Sequence, residues 1–200
     1  MIKAIIFDCF GVVFSDNFED NYRKFGGDLI KDKSFLEKVI FDSSSGKIGS
    51  SSRLIAHRLG ISSEQWEFAN ASNRNFNTEL LEFIKNIRLN YKVGMLSNVG
   101  NKGLGYYMDY AVLEDHFDDI VESAKIGFAK PEARAYEVAA DRLRVRLDEC
   151  IFIDDREKYV EGAQHVGMQA ILYKDVAQLK RDIEKITTKY VDDKLYPKER

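Results

Sequence analysis

Three short apolar runs, each ending on polar or acidic residues, constrain this chain more than any other feature: AIIFD (4–8), KVGMLSN (92–98) and CIFIDD (150–155). Runs this short, bounded by turn residues, read as strands buried on both faces, which is the habit of a parallel sheet. DIVES (119–123) and QAILY (169–173) read as two more strands. Helical patterns lie between them, over 78–90, 131–145, 157–167 and 175–187. Strand–helix alternation on this scale predicts an α/β fold with a doubly wound parallel sheet. Pro131, one of two prolines, suits the first turn of its helix, where a missing N–H costs nothing.

Residues 15–77 interrupt the alternation. They read as amphipathic helices over about 17–25, 31–42, 50–59 and 62–72, parted by turns at GGD and SSSGKIGSSS. The Ser50–Ser52 triplet reads as a helix N-cap and not as linker. The expected organisation is an α/β core of residues 1–14 and 78–200, with a helical cap of residues 15–77 inserted after the first strand. There is no internal repeat, and YVDDKLYPKER (190–200) reads as a loosely held charged tail.

The composition narrows the classes of partner. With 200 residues, 44% apolar and 32% charged, the chain has the make-up of one soluble globular domain with room for a small insertion. A net charge of −3 exerts no general pull on nucleic acid or anionic membrane. No apolar run approaches the ~20 residues of a membrane span, and the first strand is too short for a signal peptide. A cytoplasmic setting is therefore expected, with Cys9 and Cys150 as buried reduced thiols, no nucleic-acid or membrane partner, and an oligomeric state left open.

In an open α/β sheet, ligands bind beyond the carboxyl ends of the strands. The polar residues ending these runs then converge: Asp8, Ser97, Asn98, Lys130, Asp154 and Asp155. Clustered carboxylates repel unless a cation neutralises them, and hard oxygen ligands suit Mg2+. A metal, a lysine and a hydroxyl make a cradle for phosphate, and an Asp beside it can attack phosphorus.

These stretches resemble the motifs of the haloacid dehalogenase superfamily of phosphatases and related hydrolases. IIFDCFGVV is similar to its first motif, GMLSN to the second, GFAKPEARAY to the third and FIDDREKYVEGAQHVGMQAI to the fourth. The helical insertion, with GKIG before a helix, resembles the family's small cap, and the likeness reaches about residue 187. Four motifs in order are specific where any one would be weak. The resemblance implies that Asp8 is a nucleophile forming an aspartyl-phosphate and a Mg2+ ligand. It also implies a metal ligand in the backbone carbonyl of Phe10 and another in Asp155, with Asp154 acting behind it or through water. Ser97 and Asn98 would hold phosphoryl oxygens, and Lys130 would offset charge between Asp8 and the phosphate.

Phe10 is the departure. Family phosphatases usually carry there an Asp that protonates the leaving group, a contribution of about 10²–10⁴-fold. Three functions remain open. One is a phosphatase for a small phosphorylated metabolite with a good leaving group, such as a sugar 1-phosphate or acyl phosphate; glucose-1-phosphate phosphatase-like relatives similarly lack this Asp. The second is a catalytically impaired binding or regulatory relative. The third is a 2-haloacid dehalogenase, disfavoured by the paired acids of IDD and by the lack of an early cap arginine better than Arg23. His57, His116 and His165 read as surface or helix-packing residues. Trp66 reads as core, as do Tyr106, Tyr107 and Tyr110, which are otherwise candidates for a pocket wall.

Overall fold

The computed structural model describes residues 1–195, with side chains described to residue 188. The strands are β1 (Ala4–Phe7), β2 (Lys92–Ser97), β3 (Asp119–Glu122), β4 (Cys150–Asp154) and β5 (Gln169–Leu172). They form one sheet in the order β3-β2-β1-β4-β5, every pairing parallel. The central strand β1 is buried along its whole length. Its alternate residues face opposite layers, as a two-residue repeat requires. Ile5 and Phe7, with Val93, Met95, Ile151 and Ile153, pack on α5 (Thr78–Ile87), α6 (Tyr110–His116) and α10 (Val176–Leu195). Ala4, Ile6 and Phe152 face α8 (Ala133–Leu143) and α9 (Glu157–His165) on the other side. This is the doubly wound α/β sheet that the alternation of runs predicts.

Four helices lie between β1 and α5: α1 (Phe18–Lys24), α2 (Lys33–Ser44), α3 (Ser52–Leu59) and α4 (Ser63–Ala71). They close over their own apolar cluster of Tyr22, Leu36, Val39, Ile55, Ala56 and Trp66. Among the described residues, these helices hold one buried carboxylate. Asp32 accepts from the Tyr22 hydroxyl at 2.6 Å and from Arg58 Nε at 2.9 Å, so its charge is met on two sides. α4 starts with a reciprocal box in which Ser62 caps the Gln65 N–H and Gln65 returns to the Ser62 N–H.

Several expected boundaries move. α8 begins at Ala133 with Glu132 as its N-cap, so Pro131 lies in the turn before the helix and not in its first turn. The Glu132 carboxylate reaches back to the Ala129 N–H at 2.8 Å and closes that turn. Of the serine triplet, Ser51 takes the N-cap position without a side-chain bond, while the Ser50 hydroxyl accepts from the Ser52 N–H at 3.2 Å. Short helices α6 and α7 (Ser123–Ile126) flank β3, where no periodicity marks them. α10 runs through Leu195 into the stretch read as a tail, and residues 196–200 lie outside the described residues. Cys9 and Cys150 are both buried and free.

Candidate active site

The sheet order places β1 and β4 side by side, with the chain leaving in opposite directions on either side of β1. In such sheets the crevice at that reversal is where ligands sit. Asp8 follows β1, its N–H continuing the ladder to Ile153 O at 2.8 Å, and Asp154 closes β4. Backbone pairing alone thus brings the two acids together.

Lys130 joins them. Its Nζ lies 2.7 Å from Asp8 Oδ1 and 2.7 Å from Asp154 Oδ2, and the side chain is fully buried. Two hydrogen bonds fix the lysine's backbone: Lys130 N–H to Asn98 Oδ1, and Asn98 Nδ2 to Lys130 O, both 2.9 Å. Asn98 is therefore a clamp for the lysine loop. Burial opposes the charge on Lys130, but Asp154 and Asp8 outweigh it and hold its value above that of an ordinary lysine.

The carboxylates differ in what they have free. Asp8 Oδ1 accepts from the Cys9 N–H and from Lys130, each at 2.7 Å, while no bond among the described residues engages Oδ2. Asp154 is occupied on both oxygens, by Lys130 and by the Arg156 N–H at 2.9 Å. Asp155 Oδ1 is buried with no hydrogen-bond partner among the described residues. Burial and the charge of Asp154 push Asp8 up to about 7, with Lys130 pulling against them. Burial and Asp8 likewise raise Asp155.

This donor set fits a hard divalent cation. Asp8, Asp154 and Asp155 each present an oxygen within 4.8 Å of the others, and three carboxylates against one ammonium leave a double negative charge. The orphaned Asp155 oxygen points to the same conclusion, since a buried acceptor without a donor is costly unless something else satisfies it. Gly11 leaves room for this: it turns the chain at φ +86°, and a Cβ there would collide with the Asp155 carboxylate.

Asp8 and Lys130 stand in the wall of a cavity of ≈ 440 Å3 between the sheet and the four inserted helices. Phe10, Asn98, Tyr106, Tyr107 and Trp66 share that wall. Ser97 is fully buried at the end of β2, its hydroxyl without a hydrogen-bond partner among the described residues, and Tyr110 is not on the wall. The Phe10 ring packs edge-on against Tyr107, centroids 5.4 Å apart, and against Phe14 at 6.2 Å. Arg23 pairs with Glu19 on the surface. His116 is buried, with Nδ1 against Val112 O.

Sequence reasoning missed two arginines on this wall. Arg156, directly after the acid pair, reaches Asp16 at 3.1 Å. Arg74 sits over the Phe10 ring at 5.0 Å and the Tyr107 ring at 5.4 Å. The first had a signal, its adjacency to IDD. The second had none, because it lies in an irregular segment between α4 and α5.

Comparison with known proteins agrees with this geometry. The model of the haloacid dehalogenase-like hydrolase family matches residues 2–167. A phosphatase of Mycobacterium tuberculosis is 40% identical over 89 residues, covering 42% of this chain and 40% of that protein. Bifunctional epoxide hydrolase 2 of Rattus norvegicus is 37% identical over 75 residues, covering 38% of this chain and 14% of that protein. The matched stretch is thus well under half the length of either relative. In structure, a HAD family enzyme of Bacteroides thetaiotaomicron in complex with magnesium and inorganic phosphate aligns with a TM-score of 0.71 at 24% identity, covering 90% of this chain and 99% of that one. L-2-haloacid dehalogenase of Xanthobacter autotrophicus aligns with a TM-score of 0.63 at 18% identity, covering 92% of this chain and 83% of that one. At these identities the solved structures share its fold, while the family match extends across β1 to β4, the inserted helices and the acid cluster. The chain belongs to the haloacid dehalogenase-like hydrolases.

Proposed function

We propose that this protein is a Mg2+-dependent phosphomonoester hydrolase working through an aspartyl-phosphate on Asp8, with a small phosphorylated metabolite as substrate. The observation that carries the reading is Asp8 itself: a carboxylate on the cavity wall, with Oδ1 tied by two donors and Oδ2 unengaged. In the first half-reaction an oxygen of Asp8 attacks phosphorus. The bond from phosphorus to the leaving oxygen breaks, and that oxygen keeps the electron pair. In the second, water attacks the phosphorus and gives up a proton to solvent, which offsets the proton the departed oxygen takes up; the bond to Asp8 breaks, and phosphate departs from a regenerated carboxylate. Asp8, the Phe10 carbonyl and Asp155 would hold Mg2+, with Asp154 steadying Lys130 behind them. When bound, the ion supplies positive charge against the phosphoryl oxygens. Lys130 adds a second charge, and Asn98 keeps that lysine in place. Ser97 is the candidate donor to a phosphoryl oxygen, and its unpartnered hydroxyl supports that role.

No acid stands at Phe10, so the favoured substrates are those whose leaving oxygen needs help from a proton donor least, such as sugar 1-phosphates and acyl phosphates. The test is hydrolysis of a phosphate-ester panel with and without Mg2+, joined to trapping of beryllium fluoride on Asp8. Mg2+-dependent release of phosphate supports the reading. Silence on every ester together with no trapped complex removes it. A binding or regulatory role is the second reading, favoured by the apolar Phe10–Tyr107 pair where a proton donor would stand. It predicts that the cellular role survives Asp8→Asn. Dehalogenation is the third, and the three convergent carboxylates weigh against it by repelling a carboxylate substrate. Metal-independent halide release from a 2-haloacid would restore it.

A further inference from the structure

The two arginines of the cavity wall share one nearby carboxylate. Arg156 holds Asp16 Oδ2 at 3.1 Å, which leaves Arg74 3.8 Å from Asp16 Oδ1, beyond hydrogen-bond reach. Asp16 Oδ1 already accepts from the Phe18 N–H at 3.0 Å. The Arg74 side chain is 5% exposed, and among the described residues its one hydrogen bond is from Nε to the neutral Asn17 Oδ1, at 2.8 Å. A guanidinium carries five donors and stays charged at any physiological pH. Of the acids elsewhere on the wall, Glu19 pairs with Arg23 and Glu67 with Lys102, while Glu37 on α2 is exposed and forms no ion pair with Arg74. Arg74 is therefore a largely buried cation with no carboxylate within hydrogen-bond reach among the described residues, and it lies over the ring of Phe10, two residues after Asp8.

We propose that Arg74 is a specificity-determining residue that binds a second anionic group of the substrate, so that the preferred substrate is a phosphate monoester carrying a carboxylate on its leaving-group side. This rests on the phosphatase reading and sharpens it. The two ends of the cavity then have opposite tasks. At one end the carboxylates and Lys130 take the phosphoryl group with its metal. At the other, Arg74 offers a planar fork to a carboxylate, with its guanidinium carbon 5.0 Å from the Phe10 ring centroid and 5.4 Å from that of Tyr107. Phe10 thereby has a positive role: it replaces an acid that would quench this guanidinium with a surface on which it rests.

The test uses phosphonates, whose P–C bond is not hydrolysed. ω-Phosphonocarboxylates with two- to four-carbon chains are compared with alkylphosphonates of equal length, in the presence of Mg2+. Binding is read by calorimetry and by the fluorescence of Trp66, the sole tryptophan, which stands on the cavity wall. The wild type is expected to bind at least one carboxylate compound about tenfold or more tightly than its alkyl counterpart. Arg74→Gln should erase that preference while leaving alkylphosphonate affinity within about twofold, and Arg74→Lys should keep part of it. Equal affinity for the two series, no binding by the carboxylate series, or an equal loss of both in Arg74→Gln overturns the assignment. The wild-type comparison decides even where Arg74→Gln does not fold. In each of these cases hydrolysis of phosphate esters by the wild type preserves the phosphatase reading, whereas silence on esters together with no phosphonate binding removes both.

Discussion

Asp8 and Phe10 stand two residues apart and set opposite limits on the chemistry. If Asp8 is the nucleophile, Asp8→Asn should lower turnover by about 10³-fold or more, as loss of an essential catalytic group does. Single-turnover phosphate release is the measurement, with a circular dichroism spectrum to show that the fold persists. Phe10 makes the complementary prediction. Phe10→Asp restores a proton donor beside the leaving oxygen, so hydrolysis of simple alkyl phosphates should rise by about tenfold or more, with acyl phosphates little changed. The ratio of the two substrate classes reads this out free of any change in protein concentration. Asp8, Asp154 and Asp155 were legible in the sequence because each ends a strand or opens the loop after one, and Lys130 was legible from the Lys–Pro pair of GFAKPEARAY. Arg74 was not, because its position depends on how the inserted helices fold back over β1.

Elements hold these residues in place, and each does so by one identifiable device. The turn after β1 depends on Gly11, which combines a left-handed backbone with close approach to Asp155. Gly11→Ala should weaken Mg2+ binding by about tenfold or more, the range seen when support behind a metal ligand is lost. Titration of the ion against Trp66 fluorescence measures it. Within the inserted helices the device is Asp32. Hydrogen bonds from Arg58 and Tyr22 hold its carboxyl below the ordinary carboxylate range. A carboxyl lowered by folding stabilises the protein fully above its unfolded value of about 3.9, and this is lost as pH falls through the folded value. Asp32→Asn should therefore lower the melting temperature at pH 7 by about 3–8 °C, and the gap to the wild type should narrow below about pH 4. A gap that stays constant from pH 7 to pH 3 would contradict the ion-pair account. Pro131 shows a limit of reading elements locally. The expectation that it opens α8 used its missing N–H, but the carboxylate of Glu132 closes the preceding turn and moves the helix start to Ala133.

At the scale of the whole molecule, the site is a junction between the sheet and the helices inserted after β1, enclosing ≈ 440 Å3. Ligands that bind such a junction only when it is formed stabilise the fold by mass action. Mg2+ with beryllium fluoride, each at about 100 times its dissociation constant, should raise the melting temperature by about 5–10 °C, and EDTA should reverse it. No described helix is long and apolar enough to cross a membrane. Five short runs in alternation with amphipathic helices were enough to determine the doubly wound sheet: β1, β2 and β4 are buried on both faces, which leaves a strand few polar positions, while β3 and β5 at the edges are only partly buried. The carboxyl ends of those runs likewise determined the acid cluster, since a parallel sheet brings all its strand ends to one edge. What only the tertiary structure decided is the other half of the cavity. Arg74, Arg156 and Asp16 meet through segments far apart in the chain that have no periodicity of their own, and which of two arginines keeps the shared carboxylate is a matter of tenths of an ångström that no local pattern encodes.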